Sequence, residues 1–178
     1  MSHLEQVLAH AAGAPPSCGA VRVIGIDGRS GSGKTTLARE VATAWSATLV
    51  SMDSIYPGWD GLAASTGLLV EHVLSPLAAG EAPVVPTWDW LASRPGPHLP
   101  LPATSRLVVE GCGSTVAPAA DLIGTRVWLE GAAALRRERA IARDGEVFAA
   151  HWEMWADQEA AVFTADRTRD RAHVVLTI

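Results

Sequence analysis

The chain has 178 residues, 48% of them hydrophobic, which predicts one folded domain spanning residues 1–178 with a sizeable core. Its formal net charge of −5 disfavours a nucleic-acid-binding surface, because such surfaces need a basic stripe. Two distant cysteines, no uncharged apolar run of about 18 residues and no basic leader favour a cytoplasmic protein that lacks disulfides and membrane spans.

The first predicted element is a short N-terminal helix. Ser2 and Glu5 form a capping-box pattern ahead of LEQVLAHA, and GAPPSCG ends the helix. We expect this helix to pack at the edge of a sheet, with His3 and His10 at the surface. The apolar run VRVIGID, residues 21–27, then predicts a buried strand.

The segment GRSGSGKTT, residues 28–36, matches the pattern GxxxxGK[ST] between this strand and a helix-forming run. Its glycines let backbone N–H groups approach a polyphosphate, and the helix N-terminus adds unpaired donors and partial positive charge. Lys34, the chain's one lysine beside thirteen arginines, can reach the outer phosphates, and the Thr35 hydroxyl can hold Mg²⁺. The predicted nucleotide-binding residues are Gly28, Ser30, Gly31, Ser32, Gly33, Lys34, Thr35 and Thr36.

A second strand, ATLVSMD, is predicted to end at Asp53. Ligands gather at the carboxyl ends of parallel strands, so Asp53 should point into the same crevice as the glycine-rich loop. A carboxylate there can orient a substrate hydroxyl and accept its proton. The alternative is that Asp53 only caps the following turn, DSIYPG.

The order of IDGRSGSGKTT and MDSIYPGWDG resembles the uridine kinase family of P-loop kinases. The resemblance implies a three-layer α/β fold, with a five-stranded parallel sheet in the order 2-3-1-4-5, flanking helices and a helical lid. It implies ATP and Mg²⁺ as cofactors. It also implies that Asp53 is the catalytic base and that Tyr56 lines the acceptor pocket.

Residues 54–105 are predicted to form an acceptor-binding insertion, with a helix over about 61–80 that is broken near Pro76. The segment PTWDWLASR resembles an aromatic segment that contacts the base in uridine kinases. By that match the acceptor-binding residues are Trp88, Asp89, Trp90 and Arg94. Two Trp flanking an Asp would give stacking faces beside a hydrogen-bond acceptor, although simple packing of this loop is the alternative.

The stretch from Asp53 to Ser105 contains only one basic residue, Arg94. An acceptor that already carried a phosphate would need several arginines there, so we expect a neutral hydroxyl compound, with a nucleoside first. Asp60 is a further candidate for contact with ribose hydroxyls.

The run SRLVVEG predicts a third strand that ends in Glu110, which is placed to hold Mg²⁺ through water. Its EG pair resembles that of uridine kinases. Cys112 is expected to be a small core residue. TRVWLEG, residues 125–131, predicts the fourth strand.

A lid is predicted over about 132–163, as two helical runs that join near Asp144 and Gly145. Arg136, Arg139 and Arg143 share one helical face, which is either a solvated surface or a set of cations for the triphosphate. The RxxxRDG spacing resembles the family's lid and implies catalytic roles for Arg139 and Arg143, with Arg136 as a nucleotide contact. A polar loop precedes the last strand, and one of Arg167, Arg169 and Arg171 is expected to border the adenine.

The predicted function is therefore Mg²⁺-dependent transfer of the ATP γ-phosphoryl group to a hydroxyl of a small neutral acceptor. Two alternatives stay open. The acceptor could be a vitamin, sugar or antibiotic, or the chain could be a nucleotide-dependent switch or regulatory ATPase.

Overall fold

A five-stranded sheet forms the centre of the computed structural model, which describes all 178 residues. Its strands run parallel in the order β2-β3-β1-β4-β5, so the predicted order is confirmed. The strands are β1 (Arg22–Asp27), β2 (Thr48–Ser51), β3 (Arg106–Glu110), β4 (Thr125–Glu130) and β5 (Val174–Thr177).

The carboxyl ends of β1, β2 and β3 lie level with one another. Glu110, the last residue of β3, pairs in register with Ile26 of β1 and with Ser51 of β2. The chain therefore brings the segments that follow these strands to one edge of the sheet, as the sequence predicts.

Helices cover both faces of the sheet and bury two separate apolar clusters. On one face, α1 (His3–Gly13) packs beside α2 (Lys34–Ala44) and contacts β4 and β5. The capping box of Ser2 and Glu5 is present. The prediction that His10 lies at the surface is wrong. The residue is half-buried, its Nδ1 lies 3.1 Å from Thr125 Oγ1, and its ring stacks on that of His173.

On the opposite face, α3 (Leu62–Leu69) continues through a π-helical turn (Val70–Leu74) into α4 (Ser75–Ala79). The helix is therefore not broken near Pro76, as predicted. Instead it widens in the preceding turn, where the Ser75 N–H donates to the Val70 carbonyl. Proline has no N–H for the helical ladder, and widening the turn relieves the clash of its ring. By length and composition alone, Leu62–Ala79 could cross a membrane, but its buried apolar side chains pack in the core.

The longest helix, α5 (Ala133–Asp166), is kinked at Gly145. Gly145 has φ 69° and ψ −155°, a conformation that residues with a Cβ rarely adopt, so the chain bends there as predicted. The part before the kink contains the lid arginines. The part after it buries Trp152, Trp155 and Phe163 in the core.

The connection between β2 and β3 contains α3, α4 and two short antiparallel ribbons. Val84–Val85 pairs with Leu99–Pro100, and Trp88–Asp89 pairs with Arg94–Pro95. The second ribbon lies over the carboxyl end of β2, because the indole Nε1 of Trp90 donates to the backbone carbonyl of Asp53 at 2.9 Å.

Candidate active site

A cavity of about 960 Å³ opens at the carboxyl ends of β1, β2 and β3. It brings together most of the residues that the sequence nominates. Its lining includes Ser30, Gly31, Gly33, Lys34, Thr35, Thr36, Asp53, Tyr56, Trp88, Trp90, Glu110, Arg139 and Arg143.

The glycine-rich loop faces this cavity with unpaired backbone donors. Among the loop residues that line the cavity, five have N–H groups that make no hydrogen bond with any group of the chain: Gly31, Gly33, Lys34, Thr35 and Thr36. Gly33 begins α2 without a side-chain cap. Such donors at a helix N-terminus bind phosphate oxygens, so this cradle fits a polyphosphate.

The start of the loop is held by Asp27, which the sequence analysis did not nominate. Its carboxylate accepts hydrogen bonds from the backbone N–H groups of Gly28, Gly113 and Thr115 and from the Thr115 hydroxyl, at 2.7–3.0 Å. Complete burial raises the pKa of Asp27 to about 6, against the lowering effect of these N–H donors. Asp27 thus joins the loop after β3 to the phosphate loop.

Lys34 lies inside the cavity wall rather than in solvent. Its Nζ donates to the Arg29 carbonyl at 3.0 Å and lies 3.5 Å from Cys112 Sγ. Burial raises the pKa of the Cys112 thiol to about 12, so the sulfur is protonated at neutral pH. The expectation that Cys112 is a core residue rather than a nucleophile agrees with this.

Glu110 is positioned by two hydroxyls. Thr35 Oγ1 donates to Glu110 Oε2 at 3.1 Å, and Ser51 Oγ donates to Oε1 at 2.6 Å. No group of three or more His, Cys, Asp or Glu side chains could hold a metal ion. A hydroxyl and one carboxylate beside a phosphate cradle are nevertheless the ligands that Mg²⁺ uses when phosphates and waters complete its coordination. The residues present therefore fit Mg²⁺.

Asp53 lies in a short 3₁₀ turn, Met52–Ser54, just beyond the end of β2. Its side chain does not cap that turn; instead the Ser51 hydroxyl accepts the Asp53 N–H at 3.4 Å. The Asp53 carboxylate accepts no hydrogen bond within the chain and lines the cavity. It is therefore available to a substrate hydroxyl.

Six aromatic side chains also line this cavity, and we call them the acceptor wall: Tyr56, Trp59, Trp88, Trp90, Phe148 and Trp155. Trp59 is at its centre. Its ring lies 5.0 Å from that of Trp90, 5.7 Å from Phe148 and 6.3 Å from Trp155. Tyr56 is buried, and its hydroxyl donates to the Cys112 carbonyl at 2.9 Å.

Two of the predicted acceptor-binding residues lie away from the cavity. Asp89 Oδ1 accepts the N–H groups of Leu91 and Ala92 at 3.1 and 3.0 Å, so this carboxylate stabilises the hairpin turn. Arg94 is exposed on the paired strand of the ribbon. Asp60 is exposed and is also absent from the cavity lining.

The three arginines of the predicted lid lie in two different places. Arg139 and Arg143 line the main cavity, and Arg143 forms a bidentate pair with Asp144 at 2.8 and 2.6 Å. Arg136 does not join them, because it is buried and donates to the carbonyls of Gly131 and Ser30 at 3.0 Å. Its guanidinium therefore contacts the phosphate loop at the Ser30 carbonyl.

A second cavity, of about 500 Å³, lies behind the phosphate loop at the end of β4. Of the three arginines proposed to border the adenine, Arg167 and Arg169 line it, whereas Arg171 forms an ion pair with Asp166 elsewhere. Arg136, Trp128 and Phe163 also line this cavity.

Glu159 is a further site residue that sequence reasoning missed. It is 1% exposed, and its Oε1 accepts the Ser30 N–H at 2.7 Å. The sequence does contain a signal, because Glu159 falls on the apolar stripe of Trp152, Trp155 and Phe163 at helical spacing. A carboxylate on a core stripe needs a buried partner.

No protein-family profile and no curated protein matches this sequence. Solved structures do match. A possible uridine kinase from Bacillus stearothermophilus has a TM-score of 0.65 and 20% identity, and the match covers 97% of this chain and 94% of that one. A candidate fructose transport system kinase from Silicibacter sp. TM1040 has a TM-score of 0.58 and 17% identity, with 97% and 96% covered. The chain has the fold of the P-loop kinases.

Proposed function

We propose that this protein is an ATP-dependent small-molecule kinase that transfers the γ-phosphoryl group to a hydroxyl of a neutral acceptor. One observation carries the proposal. A cradle of free N–H groups, the Thr35–Glu110 pair and the unpaired Asp53 carboxylate all line one cavity. Phosphoryl transfer asks a protein mainly for positioning and charge stabilisation, which these groups can supply.

On the donor side, the phosphate loop and Lys34 bind the triphosphate, and the second cavity receives the nucleotide base beside Arg167 and Arg169. Thr35 and Glu110 would hold Mg²⁺, which when bound neutralises charge on the phosphate oxygens. Arg139 and Arg143 lie on the lid side of the cavity, where a guanidinium stabilises the charge of the transferring group.

On the acceptor side, the Asp53 carboxylate orients the substrate hydroxyl and accepts its proton as the oxygen attacks phosphorus. Its backbone carbonyl is bound by the Trp90 indole, so the acceptor wall also fixes the turn that carries Asp53. The proton acceptor and the aromatic wall are therefore positioned together.

The acceptor wall supports a neutral compound with a flat or ring-shaped face. Besides Arg139 and Arg143, the cations at the cavity are Lys34 and Arg39, both on α2 at the phosphate side. A nucleoside is the first acceptor class we propose. Because Asp89 and Arg94 lie away from the cavity, sugars, vitamins and antibiotics with a free hydroxyl belong in the same trial.

The direct experiment is a coupled assay for ADP formation with ATP, Mg²⁺ and a panel of hydroxyl compounds that begins with nucleosides. We expect one class to raise ADP formation well above the rate with ATP alone, and the phosphorylated product to accumulate in equal amount. Slow ATP turnover that no acceptor changes would instead indicate a regulatory ATPase.

The role of Asp53 is tested by Asp53→Asn, which keeps shape but cannot accept the proton. We expect phosphoryl transfer to fall by about 10²–10⁴-fold while binding of an ATP analogue is kept. Asp60→Asn is the matched control, because Asp60 is exposed seven residues along the same connection and does not line the cavity. Transfer at the parent rate in Asp53→Asn would reject this carboxylate as the base.

A further inference from the structure

Both halves of the helix α5 contact the backbone of a single residue of the phosphate loop, Ser30. Before the Gly145 kink, Arg136 Nη1 donates to the Ser30 carbonyl at 3.0 Å. After the kink, Glu159 Oε1 accepts the Ser30 N–H at 2.7 Å. Both side chains are buried, so one helix holds Ser30 from both sides.

Glu159 Oε1 has two further donors. The indole Nε1 of Trp155 donates to it at 3.1 Å, and the Cys112 thiol donates at 3.2 Å. Trp155 belongs to the acceptor wall. Glu159 therefore joins the phosphate loop to that wall through hydrogen bonds.

The residues that follow Ser30 have little conformational preference of their own. Gly31 has φ 78° and Gly33 has φ 90°, and a Cβ at Gly31 would lie 1.9 Å from the Arg136 carbonyl. A glycine-rich segment needs outside contacts to stay in one conformation, since glycine loses the most backbone freedom on ordering. The Ser30 contacts lie directly before the free N–H groups of the cradle.

We propose that Glu159 is a positioning residue, which fixes the Ser30 backbone through its N–H and so keeps the cradle's N–H groups aimed at the triphosphate. The inference rests on the proposed nucleotide-binding function and adds a residue to it. The reach of the side chain matters here rather than its charge. Oε1 makes all three hydrogen bonds, whereas Oε2 makes none within the chain.

This distinction sets the experiment. Glu159→Asp keeps the charge and shortens the side chain by one methylene, so the carboxylate cannot reach Ser30 and Trp155 together. Glu159→Gln keeps the reach and one accepting oxygen while removing the charge. Glu153→Asp is the matched control, because Glu153 is an exposed residue of the same helix. The measurement is calorimetric affinity for a non-hydrolysable ATP analogue with Mg²⁺.

We expect Glu159→Asp to bind the analogue about tenfold more weakly than the parent, and Glu159→Gln to stay within about threefold of it. Glu153→Asp should bind as the parent does. Circular dichroism melting of each variant confirms that it is folded at the temperature of the measurement. A merely structural role would lower the melting temperature without separating the Asp and Gln variants in affinity.

The proposal is overturned if Glu159→Asp binds like the parent, or if Glu159→Gln loses as much affinity as Glu159→Asp. Either result, with the parent binding the analogue, leaves the proposed kinase function standing. A parent protein that does not bind the analogue would overturn both the proposal and the kinase function.

If Glu159→Asp fails to fold, Trp155→Phe replaces it, because this change removes one donor to Oε1 and keeps the aromatic face. We then expect about a threefold loss of affinity for the analogue, and an affinity equal to that of the parent would reject the proposal.

Discussion

The phosphate loop and the acceptor wall line one cavity, but different contacts predominate in each. Buried polar side chains hold the loop, because Asp27, Arg136 and Glu159 each bond to its backbone. The wall is packed mainly through ring contacts, with Trp59 among Trp90, Phe148 and Trp155. Three of its residues, Tyr56, Trp90 and Trp155, each donate one hydrogen bond as well. The hydrogen bonds fix direction, whereas apolar contacts are non-directional.

The difference fits what each side is proposed to bind. A triphosphate carries the same oxygens in the same arrangement each time, so a loop of oriented donors can be fixed before it arrives. An acceptor recognised through ring faces makes fewer directional contacts, so the identity of the rings sets its shape more than its charge. We therefore expect large effects from changes on the polar side and graded effects on the aromatic side.

The largest effect in this comparison is expected for Glu110→Gln, on the polar side. The amide nitrogen cannot accept a hydrogen bond, so either Thr35 or Ser51 loses its partner, and the negative charge beside the metal position is lost. We expect the Mg²⁺ concentration for half-maximal activity to rise about 10–100-fold. A Mg²⁺ titration of ADP formation measures this. Glu138→Gln, a change at an exposed residue of α5, is the control. If the Mg²⁺ dependence of Glu110→Gln matched that of the parent, Glu110 would not be a ligand of the metal.

The same comparison shows how much the sequence could predict. The strand order was implied by the resemblance to the uridine kinase family. The strands, the loop and the sheet edge where Asp53 and Glu110 lie follow from apolar runs, a motif of fixed spacing and the geometry of parallel sheets. These depend on local pattern. The contacts behind the loop depend on residues far apart in the chain, such as Ser30 and Glu159, and no spacing rule brings them together.

The acceptor segment shows a second limit. The WDW pattern predicts acceptor contacts for all three residues; Trp88 and Trp90 line the cavity, whereas Asp89 does not. The Asp89 carboxylate binds the N–H groups two and three residues ahead, a local contact that competes with any ligand. The central position of Trp59 depends on the kinked helix that carries Phe148 and Trp155, which the sequence around Trp59 does not indicate.

A smaller, graded effect is expected from Trp90→Ala on the acceptor side. The change removes a ring of the wall and the hydrogen bond to the Asp53 carbonyl. We expect the KM for the acceptor to rise about tenfold, with the affinity for an ATP analogue unchanged. Arg94→Met is the informative control, because Arg94 belongs to the same ribbon but is exposed and away from the cavity. A larger KM change for Arg94→Met than for Trp90→Ala would contradict the geometry described above.

The smallest effect is expected at the edge of the sheet, behind the polar side, where His173 stacks on His10 and contacts Arg126. His173 Nε2 lies 2.9 Å from Arg126 Nη2, and the two His rings are 4.8 Å apart. Burial first, and then the charges of Arg126 and His10, lower the pKa of His173 below its ordinary value. The unfolded chain therefore binds more protons than the folded one just below pH 6.5, so stability should fall as the pH drops through this range.

His173→Gln removes this titration and should flatten the pH dependence of the melting temperature, by about 1–2 °C between pH 7 and pH 5. His3→Gln is the control, because His3 makes no side-chain hydrogen bond. If the melting temperature of His173→Gln depended on pH as steeply as that of the parent, protonation of His173 would not be what lowers stability in mild acid, and the lowered pKa would have no measurable effect on folding.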